Sequence, residues 1–216
     1  MSDEQRWSID KSIDLYGIER WSQGLFTVNE SGNMSLRTAP AGQDIDLWSL
    51  VQEIQLRGMS LPVLIRFTDI LQRRLDELAS AFARAAGDRG YTGEYRGVYP
   101  IKVNQHRHVL DDLIALGRRH HFGLEAGSKA ELLVAIALLD DPEALIICNG
   151  FKDRDFIETA LTARRLGQRI FLVVEKVSEL QFIIAVAKEL GIEPLIGLRM
   201  KLAAAGAGKW APSSGD

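Results

Sequence analysis

The sequence predicts an α/β protein: a parallel sheet entered through a small β-hairpin and helix. Three observations carry this. From Pro62 onward, short runs rich in Val, Ile, Leu and Phe alternate with helical stretches of ten to fourteen residues, the pattern of βαβ units. Polar residues gather where those runs end: Lys102, Asn104, Glu125, Cys148, Asn149, Glu175 and Arg199. A β/α barrel and an open doubly wound sheet both place chemistry at that edge, so the pattern leaves the two open. Before Pro62 the texture differs, with two short strand-like runs flanking Glu30-Ser31-Gly32-Asn33.

Taken in order, residues 1–60 form one unit. Leu25–Asn29 and Met34–Arg37 read as the strands of a hairpin, and the four residues between them supply turn chemistry. A helix opens at Asp44, where two aspartates suit the positive end of its dipole, and Gly58 ends it. Residues 61–216 form the second unit. Val63–Phe67 is a strand. Thr68 is placed to cap a helix whose Ile70, Leu71, Leu75, Leu78 and Phe82 share a core-facing stripe. A glycine-rich link leads to a strand over Val98–Gln105, then a helix over 107–119 and a strand over Phe122–Glu125. Ser128 and Glu131 make a capping box for a helix reaching Leu139. The strands Leu145–Cys148, Arg169–Val174 and Pro194–Arg199 follow, with helices over Asp153–Leu166 and Ser178–Leu190 between them.

Composition narrows the function. At 46% hydrophobic and 25% charged, this is an ordinary globular chain. A net charge of −3 argues against nucleic acid as a partner. No apolar run approaches the ~18 residues that span a bilayer, and the first five residues lack a signal-peptide pattern. The single cysteine, Cys148, points to a reducing, cytoplasmic setting.

Lys102 is the most informative residue. In a strand, Tyr99, Ile101 and Val103 take one face, and Pro100, Lys102 and Asn104 the other. If helices cover the first face, Lys102 is forced inside. Burial favours the neutral amine, the nucleophilic form that Schiff-base chemistry needs.

The surrounding residues carry a resemblance. Tyr99–Gln105, Gly123–Leu132, Cys148–Asp153, Gly197–Leu202, Gly206–Trp210, Phe26–Asn29 and Leu61–Phe67 all recur, in this order, in biosynthetic arginine decarboxylases. The chain resembles the N-terminal part of that family, pyridoxal-phosphate enzymes built on an alanine-racemase-type TIM barrel. The resemblance implies that Lys102 forms the internal aldimine with pyridoxal 5'-phosphate. L-arginine would then lose carbon dioxide to give agmatine, a precursor of putrescine and spermidine. It also implies a cytoplasmic homo-oligomer that uses Mg2+. Glu125 matches an acid near the cofactor and Arg199 an arginine in the same layer; Asn104, just past the lysine strand, is a candidate for the cofactor environment by its position. A Glu125–Arg199 pair inside a barrel would offset each partner's desolvation. The family continues well past Asp216. Its remaining strands, phosphate loop and proton-donating cysteine lie beyond that point, so the expectation is an incomplete barrel with bare strand edges, inactive alone.

Relatives acting on ornithine, lysine, diaminopimelate or carboxynorspermidine are the alternative, as is a non-catalytic remnant. His106, His108, His120 and His121 lack the companions of a metal site and read as helix histidines. Cys148 reads as a buried, inert thiol. Asn104 and Asn149 lie where asparagine often only shapes a turn. Gly206-Ala207-Gly208-Lys209 fails the phosphate-loop pattern, because Trp210 stands where Ser or Thr is required.

Overall fold

The structure, a computed structural model, describes residues 7–37 and 44–200, and the chain divides after Arg73 into two compact units. The first unit opens with α1 (Ile9–Tyr16) and α2 (Ile18–Ser22), beyond the elements expected from sequence. The hairpin forms as expected: β1 (Phe26–Val28) runs antiparallel to β2 (Met34–Leu36), with Phe26 opposite Leu36. Asn29 shapes the turn, its Oδ1 accepting from the amides of Ser31 (3.1 Å) and Asn33 (2.9 Å).

The helix expected from Asp44 starts later. β3 (Ile45–Asp46) first adds a third strand, and α3 (Leu47–Leu56) follows. Asp46 joins the two elements. Its Oδ1 accepts from the Ser49 amide at 3.0 Å, the N-cap bond. Its Oδ2 accepts from Asn29 Nδ2 (2.6 Å) and Asn33 Nδ2 (2.9 Å). These bonds, that from Asn33 foremost, hold its carboxyl at about 2.

Val63–Phe67 is not a strand. Val63, Ile65 and Phe67 are half-buried and Leu64 and Arg66 exposed, which keeps the alternation of a strand, but the segment joins no ladder among the described residues. A strand needs a partner as well as a pattern. Thr68 is the first residue of α4 (Thr68–Asp88), not its cap. Of the expected stripe only Leu75 is buried; Leu78 and Phe82 are exposed, and the Phe82 ring stacks on Tyr95 at 4.0 Å.

The second unit holds the parallel sheet: β4 (Val98–Pro100), β5 (Gly123–Ala126), β6 (Leu145–Cys148), β7 (Arg169–Val174) and β8 (Leu195–Leu198). Their spatial order is their chain order, all parallel. A doubly wound sheet reverses direction at a switch point, and this one does not. The architecture is a partial β/α barrel preceded by a hairpin sheet. Between the strands run α5 (Arg107–Gly117), α6 (Lys129–Leu138), α7 (Arg154–Arg165) and α8 (Val177–Leu190).

Register stacks the core in rows. Leu124, Ile146 and Ile170 lie side by side, and so do Ala126, Cys148 and Leu172; all are buried. Leu132, Ile157, Leu161 and Ile183 of the helices are buried with them. Residues of the opposite parity, Ile147, Phe171 and Val173, are only half-buried. Gly123 is required by the packing: a Cβ there would stand 2.0 Å from the Leu145 carbonyl oxygen.

Candidate cofactor site at the C-terminal edge of the sheet

The polar residues collected from the sequence do lie at one edge of the sheet, but two expected arrangements are corrected. The first concerns Lys102. β4 stops at Pro100, and Ile101–Val103 form a single 3₁₀ turn. Side chains now repeat every three residues instead of two. Ile101 goes into the core, while the Lys102 side chain is 64% exposed. The shielding expected of a mid-strand lysine is absent. Its amine is nonetheless placed, with Nζ 3.5 Å from Glu125 Oε1. Register explains this, because Pro100 pairs with Glu125 on β5.

Glu125 is the anchor. Its side chain is only 7% exposed. Oε1 accepts from Asn149 Nδ2 at 3.0 Å, and Oε2 is buried with no hydrogen-bond partner. A buried polar atom left unpaired costs about 1–3 kcal/mol. The carboxylate thus presents an acceptor beside a primary amine.

The second correction concerns Arg199. It pairs with Glu175 (Nη1 to Oε1, 3.2 Å), not with Glu125. β8 neighbours β7, and Arg199 follows β8 as Glu175 follows β7. Glu125 stands three strands away, about 14 Å at the usual spacing of neighbouring strands. Asn104 behaves as a turn residue: its Oδ1 accepts from the His106 amide at 3.0 Å, where α5 begins.

Further residues tie the loops together. Glu131 bridges two of them, accepting from Gln105 Nε2 (3.2 Å) and from the Gly127 amide (2.7 Å). Ser128 does cap α6, accepting from the Glu131 amide at 3.3 Å, but Glu131 reaches back to Gly127 instead of closing the box on Ser128. Gly150, at φ +75°, approaches so closely that a Cβ would sit 2.7 Å from the Gly127 oxygen. Its amide donates to Glu175 Oε1 at 2.9 Å. Lys152 is fully buried. Its Nζ donates to the carbonyls of Gly150 (2.5 Å) and Val173 and lies 3.6 Å from Glu179 Oε2. Sequence reasoning assigned no part to Lys152 or Glu179. The only signal was a lysine inside the Cys148–Asp153 motif.

Cys148 is buried, and burial pushes its thiol up to about 12. His120 and His121 pair with Asp76 (2.7 Å) and Asp141 (2.9 Å). Among the described residues no cluster of His, Cys, Asp and Glu could hold a metal ion. The Gly206–Lys209 stretch lies outside the described residues.

The donor set suits pyridoxal phosphate. The edge offers a primary amine on Lys102, an unpaired buried acceptor in Glu125 Oε2 beside it, and a guanidinium on Arg199. Sequential parallel strands with a lysine beside a buried carboxylate at their C-terminal edge make this a β/α-barrel segment. The chain belongs to the pyridoxal-dependent decarboxylases: the family described as "Pyridoxal-dependent decarboxylase, pyridoxal binding domain" matches residues 72–216.

Its relatives are more specific. The biosynthetic arginine decarboxylase of Parasynechococcus marenigrum (strain WH8102) is 51% identical over 100% of this chain and 34% of its own length. That of Thermosynechococcus vestitus is 49% identical over 97% of this chain and 33% of its own. Among solved structures, the biosynthetic arginine decarboxylase of Campylobacter jejuni superposes with a TM-score of 0.79 at 35% identity, covering 87% of this chain and 31% of that one. A diaminopimelate decarboxylase from M. jannaschi shares the fold (TM-score 0.60, 22% identity, 82% of this chain and 36% of that one). The chain spans about a third of the length of the curated relatives it matches.

Proposed function

We propose that this chain is the cofactor-bearing segment of an arginine decarboxylase converting L-arginine to agmatine and carbon dioxide, a step of polyamine biosynthesis. The observation that carries this reading is the Lys102 amine 3.5 Å from a buried carboxylate with an unused oxygen. The names and identities of the relatives favour arginine as the substrate. Residues 1–60 act as an extension and 61–216 as the barrel segment.

Pyridoxal phosphate, when bound, supplies an electron sink for the bond to carbon dioxide. The residues of the chain supply placement. Lys102 would hold the cofactor through its amine, at the place the sheet gives it. Glu125, held by Asn149, keeps the amine at the edge, and its unpaired Oε2 would accept from a donor of the bound cofactor. Arg199, held by Glu175, balances negative charge, and Asn104 fixes the turn that follows Lys102. Mg2+, a homo-oligomeric assembly and a cytoplasmic location belong to the same proposal and rest on the resemblance alone.

The test is covalent capture. The 216-residue chain is mixed with pyridoxal phosphate, reduced with borohydride and mapped by peptide. Label concentrated on Lys102, and lost in Lys102→Ala, is expected; label spread over surface lysines sinks the assignment. The chain by itself is expected to release no carbon dioxide, because the inner face of its five described strands stands half-open to water. In a polypeptide that carries it at the length of its relatives, release from L-arginine should exceed release from L-ornithine, L-lysine or diaminopimelate. The opposite preference would move the protein to another branch of the family.

A further inference from the structure

Lys152 and Glu179 are buried, charged and unused by the chemistry above. Taking two charges out of water is costly, and plain turns could have met the same backbone needs. Their bonds show what the pair holds. Lys152 Nζ binds the carbonyls of Gly150 and Val173. Glu179 Oε1 accepts from the Lys152 amide at 3.0 Å, and its Oε2 from the Glu175 amide at 2.9 Å. Four backbone groups, two in the loop after β6, one near the end of β7 and one in the loop after it, therefore hang on one ion pair. Each loop carries a residue of the site. Asn149 precedes Gly150 and donates to Glu125; Glu175 takes the Gly150 amide and Arg199.

We infer that Lys152 and Glu179 are positioning residues of the cofactor site: the buried pair fixes the Asn149 side chain on Glu125 and, through it, the place of the Lys102 amine. The inference rests on Lys102 being the cofactor amine. The Asn149 contact itself can be read without any cofactor.

The experiment uses the 216-residue chain with Lys152→Met, Glu179→Gln and, as a control, Ile157→Val, a core change on α7. Two signals are followed. One is the NMR resonance of the Asn149 side-chain amide, which departs from free asparagine when it donates to a carboxylate. The other is borohydride-fixed capture of pyridoxal phosphate at Lys102 relative to Lys188 of α8. In both pair variants the Asn149 signal should return toward the free position and the Lys102 preference fall at least fivefold. Ile157→Val should move neither. Glu179→Gln keeps the side chain's shape and decides alone if Lys152→Met does not fold. Folded variants that keep the Asn149 signal and stay within twofold in capture overturn the inference, and so does a control that moves both signals equally. Absence of any Lys102 preference in the parent chain defeats the cofactor assignment instead, and the Asn149 signal then still decides for or against the positioning role.

Discussion

Replacing Lys152 by Met removes an ammonium from the core while keeping most of the stem's volume, so the loss is one of charge and hydrogen bonding. Breaking a buried pair from one side costs about 3–5 kcal/mol, because the remaining charge is stranded. Here Glu179 keeps two donors, the amides of Lys152 and Glu175, which pulls toward the lower figure. The carbonyls of Gly150 and Val173 lose their donor, which pulls upward. We expect about 4 kcal/mol, or roughly 10 °C in Tm for a chain of this size. Urea unfolding followed by circular dichroism measures it. The pH dependence has a defined sign. Burial raises the Glu179 carboxyl, but the Glu175 and Lys152 amides and the Lys152 charge outweigh it and leave the group below its ordinary 4.5. A depressed carboxyl stabilises fully above its ordinary value and loses that contribution as pH falls. Without Lys152 the depression weakens and protonation relieves the stranded charge, so the deficit of the variant should shrink between pH 7 and pH 4. A deficit under about 1 kcal/mol at pH 7, or one that grows toward pH 4, refutes the reasoning.

Asp46, held at about 2, stabilises the hairpin unit fully above its ordinary 3.8 and should lose that contribution as pH falls from there toward 2. The protection factor of the Ser49 amide, its exchange rate corrected for the intrinsic rate at each pH, should fall over that window and stay flat in Asp46→Ala; the same profile in both forms counts against the assignment. Cys148, raised to about 12 by burial, should react with a disulfide reagent at pH 8 at least about 100-fold more slowly than free cysteine. Prompt labelling of the folded chain would show that β6 opens readily. Ile157→Ala, in the fully buried face of α7, should cost about 3 kcal/mol in urea unfolding, and a loss under about 1 kcal/mol would mean the helix is loosely packed.

Which parts of this fold were legible follows from what fixes each part. β6 and β7 match their expected bounds, since a short apolar run between turn signals carries its own boundary. Val63–Phe67 shows the same alternation without a ladder, because pairing is a property of two segments and the sequence displays one. β3 has two residues, too few for any period to register. The site divides in the same way. That Lys102, Glu125, Glu175 and Arg199 share an edge followed from their positions at strand ends. That Glu125 answers Lys102 and Asn149 while Arg199 answers Glu175 depends on strand order, which separates β5 from β8 by two strands. Lys152 and Glu179 lay 27 residues apart with nothing local to join them.

The exposure of Lys102 changes what the site contributes. A lysine shielded on all sides would owe its reactivity to desolvation. At 64% exposed, Lys102 owes the sheet something else: a fixed distance from Glu125, set by the pairing of Pro100 with Glu125 across β4 and β5. Ile147, Phe171 and Val173 on the inner face are half-buried, so the described sheet leaves one side of that arrangement wet. Placement and dryness thus have different sources. Placement is local, made by register and by the bonds of Asn149 and Gly150. Dryness requires a cover over the inner face, and proton transfers beside a developing charge depend on it. Covalent capture at Lys102 should therefore need only the first, and release of carbon dioxide both.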